Sequence, residues 1–453
     1  MSLTTAKRTP GHTAKIAAGT IVGTAIEWYD FFLYGTASAL VFGTVFFPSF
    51  SSSAGVIASF GTFAVGYLAR PIGAIVFGHF GDRIGRKAML VTTLLIMGAA
   101  STLIGLVPSF QSIGVWAPIL LIFLRLVQGL AVGGEWGGAV LVAVEGAPRN
   151  RRALFGVFPQ LGVPLGLLLS TAVVSAVTQF GDAAFLAWAW RIPFLLSAVL
   201  VVVALVIRMQ LPETDAFKKV KDKGKVAKVP LFQVLRNHPK ELLLALGTRF
   251  ATDIMFNVAN VFMLTYGITE LGFSRQLMLN AIIIASAVEL VTLPLFGMLA
   301  DRIGKRVMFM IGCVFVAIYG FVFFWMVNTG ATGWLIVAYI GSLALSQASV
   351  YGVQSALFAE LFPANIRYTG ASLPYQLAGV ITSGPAPLIA TSLFLAFGST
   401  LPIAAYIGVT ALISLVCAYF MKANKDNVDD DEEAAAEERK VVATEAQMPQ
   451  SAR

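Results

Sequence analysis

Charge is what this sequence has little of. Only 12% of its 453 residues are Asp, Glu, Lys or Arg, against roughly 25% in an average soluble domain. So few charges cannot cover a water-facing surface, which excludes an ordinary soluble globular fold. Cysteine is scarcer still. Cys313 and Cys417 both sit inside apolar runs, so no disulfide framework or cysteine metal site is expected. The three histidines, His12, His79 and His238, are scattered, which argues against a histidine metal cluster. No GxxxxGK[ST] phosphate loop occurs. The chain also lacks the nucleophile or metal constellation that a membrane-embedded enzyme needs. The expectation is a protein that is not an enzyme and carries no metal or organic cofactor.

What is present in abundance is apolar sequence. Hydrophobic residues make up 57% of the chain and the mean hydropathy is +0.79. A hydrocarbon core of ~30 Å takes roughly 20 helical residues to cross. Twelve runs fit, at approximately 16–47, 54–79, 88–107, 116–143, 153–178, 184–208, 240–267, 277–299, 307–327, 333–359, 370–396 and 400–421. The fold class is therefore an all-α polytopic membrane protein with twelve transmembrane helices and the lipid bilayer as its surroundings. The net charge of +8 does not point to nucleic acid, because of where the charge lies. With the N-terminus placed in the cytoplasm, 27 of the 32 Lys and Arg fall in cytoplasmic segments, two (Arg191 and Arg275) fall outside, and three (Arg70, Arg125 and Arg249) fall within spans. That bias fixes the orientation, with both termini inside. The organisation reads as a cytoplasmic N-terminus (1–15), six spans (16–208), a basic cytoplasmic loop (209–239), six spans (240–421) and a charged cytoplasmic tail (422–453). The loop is expected to lie partly on the inner leaflet as short amphipathic pieces. The tail, with "DDDEEAAAEERK", is expected to be disordered or loosely helical.

The two halves repeat each other. "GHFGDRIGRK" (78–87) returns as "GMLADRIGKR" (297–306), so that Gly78, Asp82, Arg83, Ile84 and Gly85 recur 219 residues later at Gly297, Asp301, Arg302, Ile303 and Gly304. Glu145, Pro148, Arg152 and Pro159 return at Glu360, Pro363, Arg367 and Pro374. Six spans, a basic loop and six more spans are thus a duplicated half, related by an axis along the membrane normal. The loop "GHFGDRIGRK" and its copy resemble the signature loops of the major facilitator superfamily. "LRLVQGLAVGGEWGG" (124–138) resembles its fourth-span motif in the form used by metabolite/proton symporters. "EWYDFFLYG", "YLARPIGA" and "WRIPFLLS" are similar to the same family, and the wording of the first span is most similar to its shikimate-type branch. The resemblance implies two pseudo-symmetric six-helix bundles around a cavity lined by helices one, four, seven and ten. It implies transport by rocking of the bundles and a bacterial inner-membrane protein that works as a monomer. It also implies that Asp82 locks a cytoplasmic gate. Arg83, Arg86, Asp301 and Arg302 belong to the same pair of loops.

The polar residues inside the spans are the candidate site. Glu27 and Asp30 lie near the midplane of the first span, and intramembrane acids are functional candidates by default. Their separation of three residues puts them on neighbouring faces of one helix. Arg125 in span four is the expected partner of Asp30. An acid that alternates between contact with an arginine and isolation exchanges its proton, whereas a permanent ion pair would be structural. Glu135, in "GGEWGG" beside Trp136, is a further candidate for proton coupling or substrate binding. The alternative for this segment is a glycine packing seam. Gln128 is one turn from Arg125. Arg249, Asp253 and Asn257 form a stripe at i, i+4 and i+8 in span seven, a plausible substrate wall unless the first two only neutralise each other. Gln347, Tyr351, Gln354 and Ser355 in span ten, Tyr375 and Gln376 in span eleven, and Tyr34 in span one are softer candidates. Arg70 either holds a substrate carboxylate or serves Asp30 or Glu27 as a structural cation. The repeat puts Glu289, of opposite sign, at the place equivalent to Arg70. The resulting reading is proton-coupled import of a small polar, carboxylate-bearing solute, with a shikimate-like acid as the candidate and protons as the coupling ion. The alternatives are a zwitterionic osmolyte of the betaine or proline type, a di- or tricarboxylate, and a transporter-like sensor.

Overall fold

In hydrocarbon every peptide N–H and C=O needs a partner, and an isolated segment supplies its own only as a helix. The computed structural model describes residues 10–84, 86–133, 143–144, 147, 149–210, 230–363 and 366–422. It shows helices and no strand among them. Twelve helices cross in order. In the first half they are α1 (Ile21–Phe46), α2 (Ser52–Ile84), α3 (Arg86–Leu106), α4 (Trp116–Val132), α5 (Arg152–Thr178) and α6 (Ala189–Val206). In the second they are α7 (Pro239–Thr269), α8 (Arg275–Ile303), α9 (Lys305–Val327), α10 (Thr332–Leu361), α11 (Thr369–Phe397) and α12 (Leu401–Phe420). Most ends fall within a few residues of the apolar runs. The helix that carries the α1 span begins earlier, at Pro10, because proline suits a first turn. Pro239 opens α7 in the same way.

We call the side holding the N-terminus, the central link and the C-terminus the terminal face. The link contributes the helix Pro230–Asn237, whose Val234 is buried while Phe232 and Leu235 are exposed. An apolar ridge turned outward suits a helix lying on a bilayer surface. Around the molecule, large apolar side chains such as Val291, Trp325 and Val409 stay exposed, as lipid contact requires.

Inside each half the helices approach through small residues. A Cβ at Gly129 would overlap the carbonyl of Gly66, and one at Gly133 would overlap the carbonyl of Arg70, so only glycine lets α4 lie this close to α2. Among the described residues, three membrane helices contain a π-helical turn: Ser38–Phe42 in α1, Val258–Phe262 in α7 and Gly341–Gln347 in α10. The first two match across the 219-residue repeat to within one residue.

The halves touch at both faces. On the terminal side, the Asp301 carboxylate at the end of α8 accepts from the backbone N–H groups of Ala153 (2.8 Å) and Leu154 (3.0 Å) at the start of α5. Ser355 donates to the Gly156 carbonyl, and Gln376 to that of Gly133, both at 3.0 Å. On the opposite side, Thr265 donates to the Ala39 carbonyl at 3.1 Å, and Arg275 pairs with Asp182 at 2.5 Å. Among the described residues, the polar centre is therefore shut from both faces.

Candidate functional site

Two polar clusters, one in each half, meet at the middle of the molecule. In the first, Asp30 of α1 is fully buried. Its Oδ1 accepts from Ser197 of α6, Ser101 of α3 faces the carboxylate, and Oδ2 has no hydrogen-bond partner. Gln128 donates to Ser101 at 2.8 Å and accepts from Arg125 Nη1 at 2.5 Å. The Arg125 guanidinium lies 4.0 Å from the Tyr34 ring centre, 4.5 Å from Phe31 and 5.2 Å from Phe63. Aromatic faces thus replace much of its lost hydration. Its Nε and Nη2 still have no hydrogen-bond partner. The Tyr34 hydroxyl is occupied, donating to Thr62 at 2.7 Å.

The direct Asp30–Arg125 pair expected from the sequence does not form in this state. No ion pair links them among the described residues; Gln128 and Ser101 stand between. The reason lies on α2. A Cβ at Gly66 would strike the Arg125 guanidinium, so glycine there gives Arg125 a slot beside Phe31, Tyr34 and Phe63.

In the second half, Arg249 of α7 pairs with Asp253 one turn on, donates to Gln354 Oε1 of α10 at 2.7 Å, and lies 4.0 Å from the Tyr375 ring of α11. Thr382 of α11 donates to the other Asp253 oxygen at 2.6 Å. Asp253 therefore has a partner on each carboxylate oxygen. Asn257 turns back to bond the Asp253 carbonyl of its own helix at 2.8 Å.

Arg70 of α2 stands between the clusters. It is buried, with its guanidinium 4.2 Å from the ring centres of both Phe31 and Tyr67. It feels the field of Tyr375, Asp253 and Arg249 across the junction. Its Nε and Nη2 have no hydrogen-bond partner. The junction so described holds three guanidinium groups against the carboxylates of Asp30 and Asp253. Unmet cationic donors at a closed centre suit an anion, and a carboxylate matches the planar fork best.

A profile of the Major Facilitator Superfamily matches residues 20–387. The chain belongs to the major facilitator superfamily. As a superfamily member it is a membrane transporter and not an enzyme. It is 41% identical over 412 residues to the Shikimate transporter of Escherichia coli (strain K12), covering 90% of this chain and 94% of that protein. It is 32% identical over 422 residues to the Proline/betaine transporter of the same organism, covering 91% and 84%. In fold it is similar to a crystal structure of a D-xylose-proton symporter, with a TM-score of 0.70 and 20% identity over 90% of this chain and 98% of that one. The architecture is the superfamily's twelve helices in two pseudo-symmetric bundles of six.

The structure gathers most of the sequence candidates of this facilitator. Asp30, Tyr34, Arg125 and Gln128 share the first cluster, and Arg249, Asp253, Gln354 and Tyr375 share the second. Asn257 lies in the same helix but bonds within it. Glu27 is partly exposed, one turn from Asp30 toward the terminal face. Gln376 and Ser355 join the halves on the terminal side instead of lining the centre. Glu135 and Trp136 lie outside the described residues, as do the side chains of Asp82, Arg83 and Arg86. Arg302 is exposed beside the Asp301 latch. Arg191 donates to the carbonyls of Ala187 and Val107, at 3.2 and 3.3 Å, and so anchors helix ends. Sequence reasoning missed Ser101, Ser197, Thr382, Tyr67 and Gly66. Tyr67 had a signal, since it precedes Arg70 by one turn in "YLARPIGA". The hydroxyls had none, because Ser and Thr are ordinary in apolar helices.

Proposed function

We propose that this transporter is a proton-coupled importer of a small, singly carboxylated, hydroxyl-bearing metabolite of the shikimate type. It works as a monomer in a bacterial inner membrane, with the terminal face in the cytoplasm and two bundles at 16–208 and 240–421. The observation that carries this reading is Arg70: a buried guanidinium at the junction of the halves with two donors unmet. A substrate carboxylate is drawn there, while the amide of Gln354 and the nearby Tyr375 suit hydroxyl groups. Asp30 is the proton carrier. It is buried beside hydroxyls with one oxygen unbonded, and Gln128 and Ser101 connect it to Arg125. Approach of Arg125 would favour the carboxylate, and its withdrawal would favour the acid.

A quaternary-ammonium osmolyte fits less well. Such a cation is held by open aromatic faces, and guanidinium groups already cover those of Phe31, Tyr34, Tyr67 and Tyr375. The test is uptake of radiolabelled shikimate into proteoliposomes, with and without an imposed inward proton gradient, in competition with proline and betaine. Gradient-driven accumulation that proline and betaine leave intact supports the reading. Shikimate entry indifferent to the gradient, or accumulation of betaine in its place, overturns it.

A further inference from the structure

The second half contains an acid that the two clusters do not use. Glu289 sits at the midpoint of α8, ~21 Å from either end, at 0% exposure. Neither carboxylate oxygen has a hydrogen-bond partner. Leu293, one turn on, packs its carbonyl against Gly352, 3.4 Å from where a Cβ would stand. Glu289 therefore lies on the face of α8 turned to α10.

The groups on the elements packed around α8 are engaged elsewhere. On α7, Arg249 holds Asp253, and Tyr266 bonds Asn328 at 2.9 Å; Glu270 stands at the far end of that helix. On α9, Lys305 pairs with Glu360 of α10, Arg306 donates to the Tyr419 carbonyl, and the Tyr319 hydroxyl donates to the Ala338 carbonyl at 3.1 Å. Cys313, also on α9, is a buried neutral thiol. On α10, Tyr339 bonds the Ala259 carbonyl at 2.9 Å and Tyr351 faces Arg249 at 6.0 Å. Arg152 is at the terminal end of α5, whereas Glu289 is half a helix length, ~21 Å, from the terminal end of α8. Among the described residues, no cation or donor reaches the carboxylate.

A bare carboxylate without partners in such a place costs far more than a protonated one. Structural acids in membrane interiors are normally paired or bonded to backbone. Here Ser286 on the same helix, and Ser342 and Ser346 on the π-helical turn of α10, also lack hydrogen-bond partners. The region is under-satisfied, unlike a fixed polar network. The repeat adds a second reason. An offset of 219 relates Asp30 to Arg249 and Arg70 to Glu289, so each half places one acid and one arginine at these equivalent positions with the signs exchanged. Asp30 and Glu289 are the members of this quartet that are acids, one per half, and neither has an ion-pair partner among the described residues.

We propose that Glu289 is a second proton-carrying residue of the transport cycle. It takes a proton from water on one face before the centre closes and returns it to water on the other face when the halves part there. This rests on the proton-coupled reading above, but its test needs no substrate. Purified protein in liposomes is treated with dicyclohexylcarbodiimide, which modifies protonated membrane carboxyls, and the sites are located by peptide mass mapping across pH. Modification of Glu289 should be strong at low pH and fall about tenfold per pH unit above its midpoint. Modification that is absent, or constant across the pH range in which the protein stays folded, overturns the proposal. Asp30 is mapped in the same digest, so failure of the coupling reading and failure of this one are distinguishable. A second measurement uses Glu289→Gln and Glu289→Asp. The Asp variant should keep the pH dependence of opening at the terminal face, read by maleimide labelling of a cysteine at Val157, and the Gln variant should lose much of it. Equal pH dependence in both variants also overturns the proposal.

Discussion

Gly66 shows how one missing methyl group can set a site. Its slot receives the Arg125 guanidinium, and a Cβ there would overlap it. Arg125 is held by stacking and one hydrogen bond and not by a fixed ion pair, so it would be expelled. Gly66→Ala should lower initial uptake about tenfold or more, the effect of ~1.4 kcal/mol at the site. Gly61→Ala, where a Cβ meets nothing within 4 Å, should transport normally. Equal activity of the two would show that the slot does not matter. Asp253 makes a different case. Removing one member of a buried ion pair typically costs about 3–5 kcal/mol because the survivor is stranded. Asp253→Asn should therefore lower the melting temperature and the yield of folded protein, and adding Arg249→Gln should recover part of the loss. A double variant less stable than the single one would refute this account. The large charges of the site were legible in the sequence, because a charged residue inside an apolar span stands out. Ser101, Ser197 and Thr382 were not legible. Without the Ser101 hydroxyl that Gln128 reaches, Asp30 and Arg125 looked like direct partners.

At the scale of helices, the two halves are joined where the end of α8 meets the start of α5. The first N–H groups of a helix lack partners of their own, and an acidic side chain satisfies them well. Asp301 does this across the two halves, so the contact exists only while the terminal face is closed. Asp301→Asn keeps one acceptor oxygen but loses the charge that favours a helix N-terminus. The loss of about 1 kcal/mol should shift the population toward the open terminal face about fivefold. The readout is labelling of a cysteine at Val157, buried against Gly297 and Gly352, in a background with Cys313 and Cys417 replaced by serine. Unchanged labelling would mean that the capping contact does not bias the gate. The signature loop was visible as a repeat, but its docking on α5 was not, because the backbone donors it caps leave no mark on sequence. The π-helical turns in α1, α7 and α10 were equally invisible, since they alter hydrogen-bond register and not composition. Such turns are uncommon and cluster at functional sites. All three lie in helices that carry or adjoin the site.

At the scale of the whole molecule, the two halves joined at both faces around a buried centre are what the proposed transport cycle needs as its closed intermediate. On the proposed proton-coupled reading, concentrative uptake requires that a proton enter with the substrate, that the loaded form pass through this closed arrangement, and that both leave on the other side. The empty carrier must then return without the proton. An amide at Asp30 resembles the protonated acid in size and charge, so Asp30→Asn should leave passage of the loaded form intact. The return of a deprotonated carrier is no longer available to it. Accumulation under an imposed pH gradient should therefore fall to background, while counterflow, in which labelled solute exchanges for unlabelled without a gradient, should stay within a few-fold of the native rate. Arg125→Gln should also lose accumulation, because no cation then draws the proton off Asp30. It should spare counterflow less well, since the aromatic slot of Phe31, Tyr34 and Phe63 is left unfilled. The two assays are run on the same proteoliposomes with radiolabelled shikimate. If Asp30→Asn still concentrates the solute in response to the gradient, Asp30 is a structural acid held by Ser197. The coupling proton must then ride on another buried carboxylate, and Glu289, the acid at the midplane of the opposite half, is the group to test next.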